Sequence, residues 1–287
     1  MLTTIRIGGI EVVSLLDGVE DVDDPDILDP SHGPADPVWE PYWRRYPAVF
    51  AADGGWRLHV RATLLRAHGR TILVDTGVGG PTSPAMRWYP APGRLLGSLA
   101  QSGTSPVEVE VVVITHVHDD HIGGTVTAQG EPAFPNARYL VNRLDLEWQE
   151  GLAAKTDEDQ AVWDRLLAPL QSRGVLQAID GAHEVAPGVR TRHLPGHTPG
   201  HQVVHVSDGG ASLLLSADAI NHPAQLQEPE LASGPDDDAE AASRVRRMLI
   251  DELLGTDVVV APPHFGEPFG RVVSDGPVGR IGWMPLA

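Results

Sequence analysis

Polar and apolar positions alternate closely between residues 4 and 16, broken once at Gly8-Gly9, which predicts two short strands joined as a hairpin. The pattern then lapses from Asp17 to about Trp56. Acidic residues, prolines and the aromatics Trp39, Tyr42, Trp43, Tyr46 and Phe50 fill this stretch, so an irregular insertion is expected at about 17–57. Its aromatics must pack against something: as a lid, a pocket wall, a homodimer contact, or an arm folded on its own domain. Regular structure resumes at 58–67 and 71–74 around His68-Gly69-Arg70, a second hairpin. A helix is expected near 94–101, then a buried strand at 109–114, where β-branched residues suit a sheet covered on both faces. Beyond it the pattern predicts a strand near 138–141 and helices at about 143–150 and 157–170. Further strands are expected at 175–179, 189–193, 202–206 and 212–215, with a last clear one at 258–261. No tandem repeat or low-complexity linker divides the 287 residues, which predicts one domain over 1–287.

The chemistry sits at the ends of these strands. The 109–114 strand leads into Thr115-His116-Val117-His118-Asp119-Asp120-His121. His116 and His118 are two apart and can point to one side, while Asp120 and His121 fall in the turn after it. A lone histidine at a strand end is usually hydrogen-bonded and nothing more. Three histidines with a carboxylate in six residues, buried without a metal, would leave several polar groups unsatisfied at ~1–3 kcal/mol each. Imidazole nitrogen and carboxylate oxygen suit borderline cations such as zinc, and two ions could share the turn. Later strands end the same way, in Leu194-Pro195-Gly196-His197-Thr198-Pro199-Gly200-His201, Ser216-Ala217-Asp218 and Pro262-Pro263-His264. Asp75, at the end of the 71–74 strand, is expected either to support this centre from behind or to cap its turn.

Composition narrows the partners. A hydrophobic content of 41% supports a sizeable core, and a formal charge of −18 repels phosphate backbones and anionic membrane surfaces, so neither nucleic acid nor membrane is an expected partner. The chain has no cysteine, which excludes disulfides and thiolate ligands. Without a signal-like or membrane-spanning stretch, a soluble cytoplasmic protein is expected.

The constellation resembles the metallo-β-lactamase superfamily from about residue 5 to 270. His116-Val117-His118-Asp119-Asp120-His121 matches its HxHxDH signature and Gly196-His197-Thr198-Pro199-Gly200-His201 its GHTxGH element. The resemblance implies an α/β fold, the αβ/βα sandwich of two mixed sheets flanked by helices, with the site along one sheet edge. It implies two divalent ions, with zinc expected: one on His116, His118 and His197, the other on Asp120, His121 and His264, with Asp218 bridging. Asp119 occupies the variable position and is not a ligand, and His201 lies behind the ligands. The implied reaction is hydrolysis by a metal-bridging hydroxide, opening a lactone or cleaving a carboxylic ester, with Asp120 shuttling a proton.

Among family members the chain looks most like the N-acyl homoserine lactonases. Where these carry a tyrosine three residues after the bridging aspartate, it has Asn221, an amide that donates a hydrogen bond but is no phenolic acid. Asp120 and Asn221 are therefore the expected catalytic residues, and a small ester or lactone the expected substrate. A thioesterase of the hydroxyacylglutathione hydrolase type and a phosphotriester hydrolase are the rival enzymes. A metal-binding oxidoreductase or a binding module is the non-hydrolase alternative.

Overall fold

The computed structural model describes residues 2–22, 27–28, 32–52, 54–275 and 280–286. The expected insertion is therefore described only in part: residues 23–26, 29–31 and 53 of it lie outside the described residues. Two mixed seven-stranded sheets face each other. The first takes β1 (Thr3–Ile7), β2 (Ile10–Val22), β3 (Trp56–Ala67), β4 (Arg70–Val74), β5 (Val111–Val113), β6 (Arg138–Asn142) and β7 (Leu176–Ile179) in that spatial order. The second takes β8 (Glu184–Ala186), β9 (Val189–His193), β10 (Gln202–Asp208), β11 (Ala211–Leu215), β12 (Val259–Ala261), β13 (Gly270–Asp275) and β14 (Arg280–Pro285), again in spatial sequence. Helices α1 (Glu40–Arg45), α2 (Leu95–Gln101), α3 (Asp119–Ile122), α4 (Arg143–Ala153), α5 (Asp157–Val162), α6 (Ala168–Ser172) and α7 (Ala239–Leu253) complete the chain.

The layers arise from the two-residue period of the strands. Val111 and Val113 enter the layer between the sheets, as do Ile72 and Val74, and from the other sheet Leu213, Leu215, Val259 and Ala261. The residues between them point outward. Val112 and Leu73 meet α2 and α6 through Leu99 and Leu170, while Leu214 and Val260 meet α7 through Leu249, Ile250 and Leu253. Such runs stay apolar throughout because both faces of each sheet are covered. Among the described residues no helix is long and apolar enough to cross a membrane.

Three features depart from the pattern reading. Strand β2 continues through Val22, so Asp17–Val22 is regular rather than irregular. Its register on β3 slips between Leu16 and Gly18, leaving Asp17 as an extra residue, and this bulge shifts the phase of the alternation and hides the strand. The helix expected at 157–170 is broken by a π-turn at Trp163–Leu167. Pro169 lacks the N–H that a continuous helix needs. The hairpin β13–β14 and the three-residue β8 are absent from the pattern reading, being half-exposed edge elements with weak alternation. The aromatics of the 36–50 segment belong to the core: Trp39 packs edge-on to Trp56 at 5.1 Å between centroids, and Tyr42, Tyr46 and Phe50 join the same cluster as α7.

Candidate metal centre

The centre forms where strands finish together. β4 and β5 are parallel, so Asp75 and the 115–121 turn leave the first sheet at one edge. β11 parallels β12, and β9 and β11 are both antiparallel to β10. Thus β9, β11 and β12 share a direction and carry His197, Asp218 and His264 to the facing edge. All seven residues expected as ligands meet there. Three groups each have ligand-capable atoms within 4.8 Å of one another: His116, His118 and His197; His116, His121 and Asp218; and Asp120, His121 and His264.

The Asp218 carboxylate divides the cluster. Its Oδ2 lies 3.4 Å from His197 Nε2 and 3.9 Å from His116 Nε2. Its Oδ1 lies 3.2 Å from both His121 Nε2 and His264 Nε2. Asp120 Oδ2 is 3.6 Å from each of the latter two nitrogens. His118 Nδ1 and His197 Nε2 face each other at 2.9 Å.

Outer partners fix most of these rings. His121 Nδ1 donates to Asp75 Oδ2 at 2.9 Å, His197 Nδ1 to Asp236 Oδ1 at 2.8 Å, and His264 Nδ1 to the His59 carbonyl at 2.7 Å. Thr115 donates its N–H and its hydroxyl to Asp75, each at 2.8 Å, and its Oγ1 lies 3.1 Å from His116 Nδ1. With their Nδ1 protons committed outward, His121, His197 and His264 turn Nε2 lone pairs inward. His116 Nε2, His121 Nε2 and Asp218 Oδ1 are buried with no hydrogen-bond partner. Orphaned lone pairs of imidazole and carboxylate, arranged in two sets around one carboxylate, fit a pair of divalent cations.

Electrostatics agree with the geometry. Burial, reinforced by neighbouring imidazoles, holds His116 and His118 well below the ordinary histidine range. Burial pulls His121 and His264 the same way, but the carboxylates of Asp218 and Asp120 outweigh it and raise both. Burial would raise Asp218, yet His264 and His121 hold it well below the usual carboxylate range. The cluster thus already demands positive charge beside Asp120 and Asp218. The backbone is strained where it delivers these groups. Asp75 has φ 60° and Ala217, next to Asp218, has φ 43°, both left-handed, at a cost of about 1–3 kcal/mol each.

The family model for the metallo-beta-lactamase superfamily matches residues 55–264. The chain belongs to that superfamily. It is a hydrolase of the metallo-beta-lactamase type. An N-acyl homoserine lactonase, AiiA, of Bacillus thuringiensis subsp. kurstaki is 28% identical over 208 residues, which cover 67% of this chain and 75% of the relative. Metallo-beta-lactamase domain-containing protein 1 of Homo sapiens is 31% identical over 211 residues, covering 72% of this chain and 62% of that one. Among solved structures, AidC, a dizinc quorum-quenching lactonase in complex with a product, superposes with a TM-score of 0.83 at 22% identity, covering 100% of this chain and 97% of AidC.

Beside the metallo-beta-lactamase centre lies a cavity of about 390 Å³. Its floor includes His118, Asp120, Asp218, Asn221 and His264, and its walls include Leu28, Val49, Leu58, Trp88, Trp148 and Leu152. Trp88 lines this cavity, whereas Tyr89 and the insertion's Trp39, Tyr42 and Phe50 are turned into the core. Asn221 donates from Nδ2 to Asp218 Oδ2 at 2.7 Å. His201 lies behind the expected ligands: its Nε2 accepts the Asp218 N–H at 3.1 Å and its Nδ1 donates to the Leu194 carbonyl at 3.0 Å. His222 borders the cavity inside a cage of Trp39, Phe50 and Trp56, and burial pushes it down to about 3. Asp119 belongs to none of the three groups, accepting instead from Trp88 Nε1 at 3.0 Å and pairing with Arg87 at 2.9 Å.

Two supporting residues escaped the sequence. Asp145 ties the two histidine loops together by accepting from Val117 N at 3.2 Å, Thr198 Oγ1 at 2.9 Å and Gly200 N at 2.5 Å. A Cβ at Gly200 would lie 2.5 Å from Asp145 N, so only glycine permits this approach. Burial pushes the Asp145 carboxyl up to about 6. In the sequence it reads as an ordinary acid in the first turn of α4. Asp236 sits in the run Asp236-Asp237-Asp238, which reads as a solvated loop.

Proposed function

We propose that this metallo-beta-lactamase-type hydrolase opens lactones or cleaves carboxylic esters that are uncharged and carry an apolar side group, using two zinc ions. His116, His118 and His197 would hold one ion, Asp120, His121 and His264 the other, with Asp218 between them. When bound, such a pair supplies Lewis acidity toward the substrate's carbonyl oxygen and lowers the pKa of water toward neutrality.

One observation carries the choice of substrate: the cavity is walled by Leu28, Val49, Leu58, Trp88, Trp148 and Leu152, and its two arginines already face acids. Arg57 pairs with Asp21 at 2.7 Å and Arg87 with Asp119 at 2.9 Å. Past the metal pair, the anionic group of a glutathione-type thioester would meet Asp159 and arginines already paired with acids. The lactonase names of the relatives support the same choice.

The chain's own groups then divide the work. Asp120 borders both the cavity and the cation position, where it can carry a proton from the attacking water to the leaving alkoxide. Asn221 holds the Asp218 carboxylate in register by its amide donor. Trp88, Trp148 and Leu152 shield the reacting carbonyl from bulk water.

The test is a panel of lactones, aryl esters, thioesters, β-lactams and phosphotriesters presented to zinc-loaded protein and ranked by kcat/KM. Apolar lactones or esters should rank first. A glutathione thioester at the top would overturn the reading of the cavity, and a phosphotriester at the top would move the reaction to phosphorus with the same centre.

A further inference from the structure

Asp236 belongs to no motif and lies on no strand, yet its carboxylate is enclosed. Its side chain and that of Arg246, on α7, are both 0% exposed. Oδ1 accepts from His197 Nδ1 at 2.8 Å. Oδ2 accepts from Ser233 N at 2.9 Å and from Arg246 NH1 and NH2 at 3.3 Å each, while Arg246 Nε donates to the Pro229 carbonyl at 2.9 Å. The same loop grips the backbone beneath the ring, with Asp237 N donating to the His197 carbonyl at 3.0 Å and Asp238 N to that of Gly196 at 2.9 Å.

We propose that Asp236 is the positioning residue of His197, and that it sets the affinity of only one of the two cation positions. This rests on reading His197 as a metal ligand. A carboxylate on Nδ1–H fixes the tautomer, aims Nε2 at His116, His118 and Asp218, and makes the imidazole a stronger donor. Arg246 pairs with the other oxygen of the same carboxylate, so the buried negative charge has a partner of its own. His121 has its own carboxylate, Asp75, and His264 leans on a backbone carbonyl, so neither depends on Asp236.

The experiment measures metal, with no substrate present. Wild-type protein, Asp236→Asn and the double variant Asp236→Ala/Arg246→Met are titrated with Zn²⁺ against a chromophoric chelator, and with Co²⁺ while its visible absorption is followed. The double variant removes both halves of the buried pair, so no lone arginine charge is left to unfold the protein. Wild type should bind two ions. Both variants should bind one of them about 10- to 100-fold more weakly, with the Co²⁺ bands of that ion altered and the other ion unchanged. Unchanged affinity for both ions, or an equal loss at both, would overturn the proposal. A wild-type protein that binds neither ion would overturn the metal reading itself, a result distinguishable from either.

Discussion

The two sheets contribute to the centre in different ways. From the first come His116, His118, Asp120 and His121 on one short turn, with Asp75 one strand away. From the second come His197, Asp218 and His264, each from a separate strand end, and the support for His197 arrives on a loop between β11 and α7. The first half is thus set by local geometry and strand register, the second by long-range packing. Local arrangements form whenever their strand forms, whereas distant ones depend on the whole fold being in place. The first half should therefore tolerate disturbance elsewhere better than the second.

Asp218→Ala strikes both expected cation positions at once, because Asp218 faces both histidine sets, each drawn from both sheets. Loss of several kcal/mol of transition-state stabilisation predicts a fall in kcat of about 1,000-fold or more, with fewer ions retained per chain by elemental analysis. A variant with two ions and near-normal turnover would show that Asp218 does not join the two positions. Asp75→Asn tests the first half alone. Asparagine tolerates the left-handed backbone at this site, so the change removes the charge behind His121 and should weaken one ion by about 10- to 100-fold. The affected ion should be the one that Asp236 variants spare. If both substitutions weaken the same ion in Co²⁺ spectra, the two halves are not independently supported.

Much of this was legible because strands declare themselves through apolar runs, and the residues just past them carry the chemistry. The histidine-rich turn after β5 was readable from its spacing, and the 196–201 loop from its place at a strand end and its resemblance to the superfamily's GHTxGH element. The hidden features have physical causes. The bulge at Asp17 inverts the alternation of β2. Asp236 and Asp145 look like solvent-facing acids until the fold encloses them. The aromatics of the insertion show only that they must be buried, not where, and the fold places them under α7 rather than in the cavity.

The cavity joins the two halves, and smaller effects resolve what each wall does. Each methylene added to the substrate's apolar group should gain ~0.8 kcal/mol, about fourfold in kcat/KM, until the space is full. A flat series would place the side group in solvent. Leu152→Ala, on α4, should shift the optimum toward longer groups while leaving ion content unchanged. Smallest of all, Arg57→Gln removes a pair that is 35% exposed on the arginine side and 47% on the Asp21 side, and should cost about 1 kcal/mol or less in chemical denaturation.

All five strand ends that feed the centre point to one edge, so the tight turns that precede β4, β9 and β11 lie at the other. There Gly9 N donates to Asp208 Oδ2 at 2.6 Å, and His68 lies 3.7 Å from Asp208. This gives the molecule a handle and a working end. A dye, a surface tether or a fused partner attached at His68-Gly69 would hang from the handle, with the mouth of the cavity facing away from it. Immobilised through that turn, the protein should keep the kcat/KM it has free in solution.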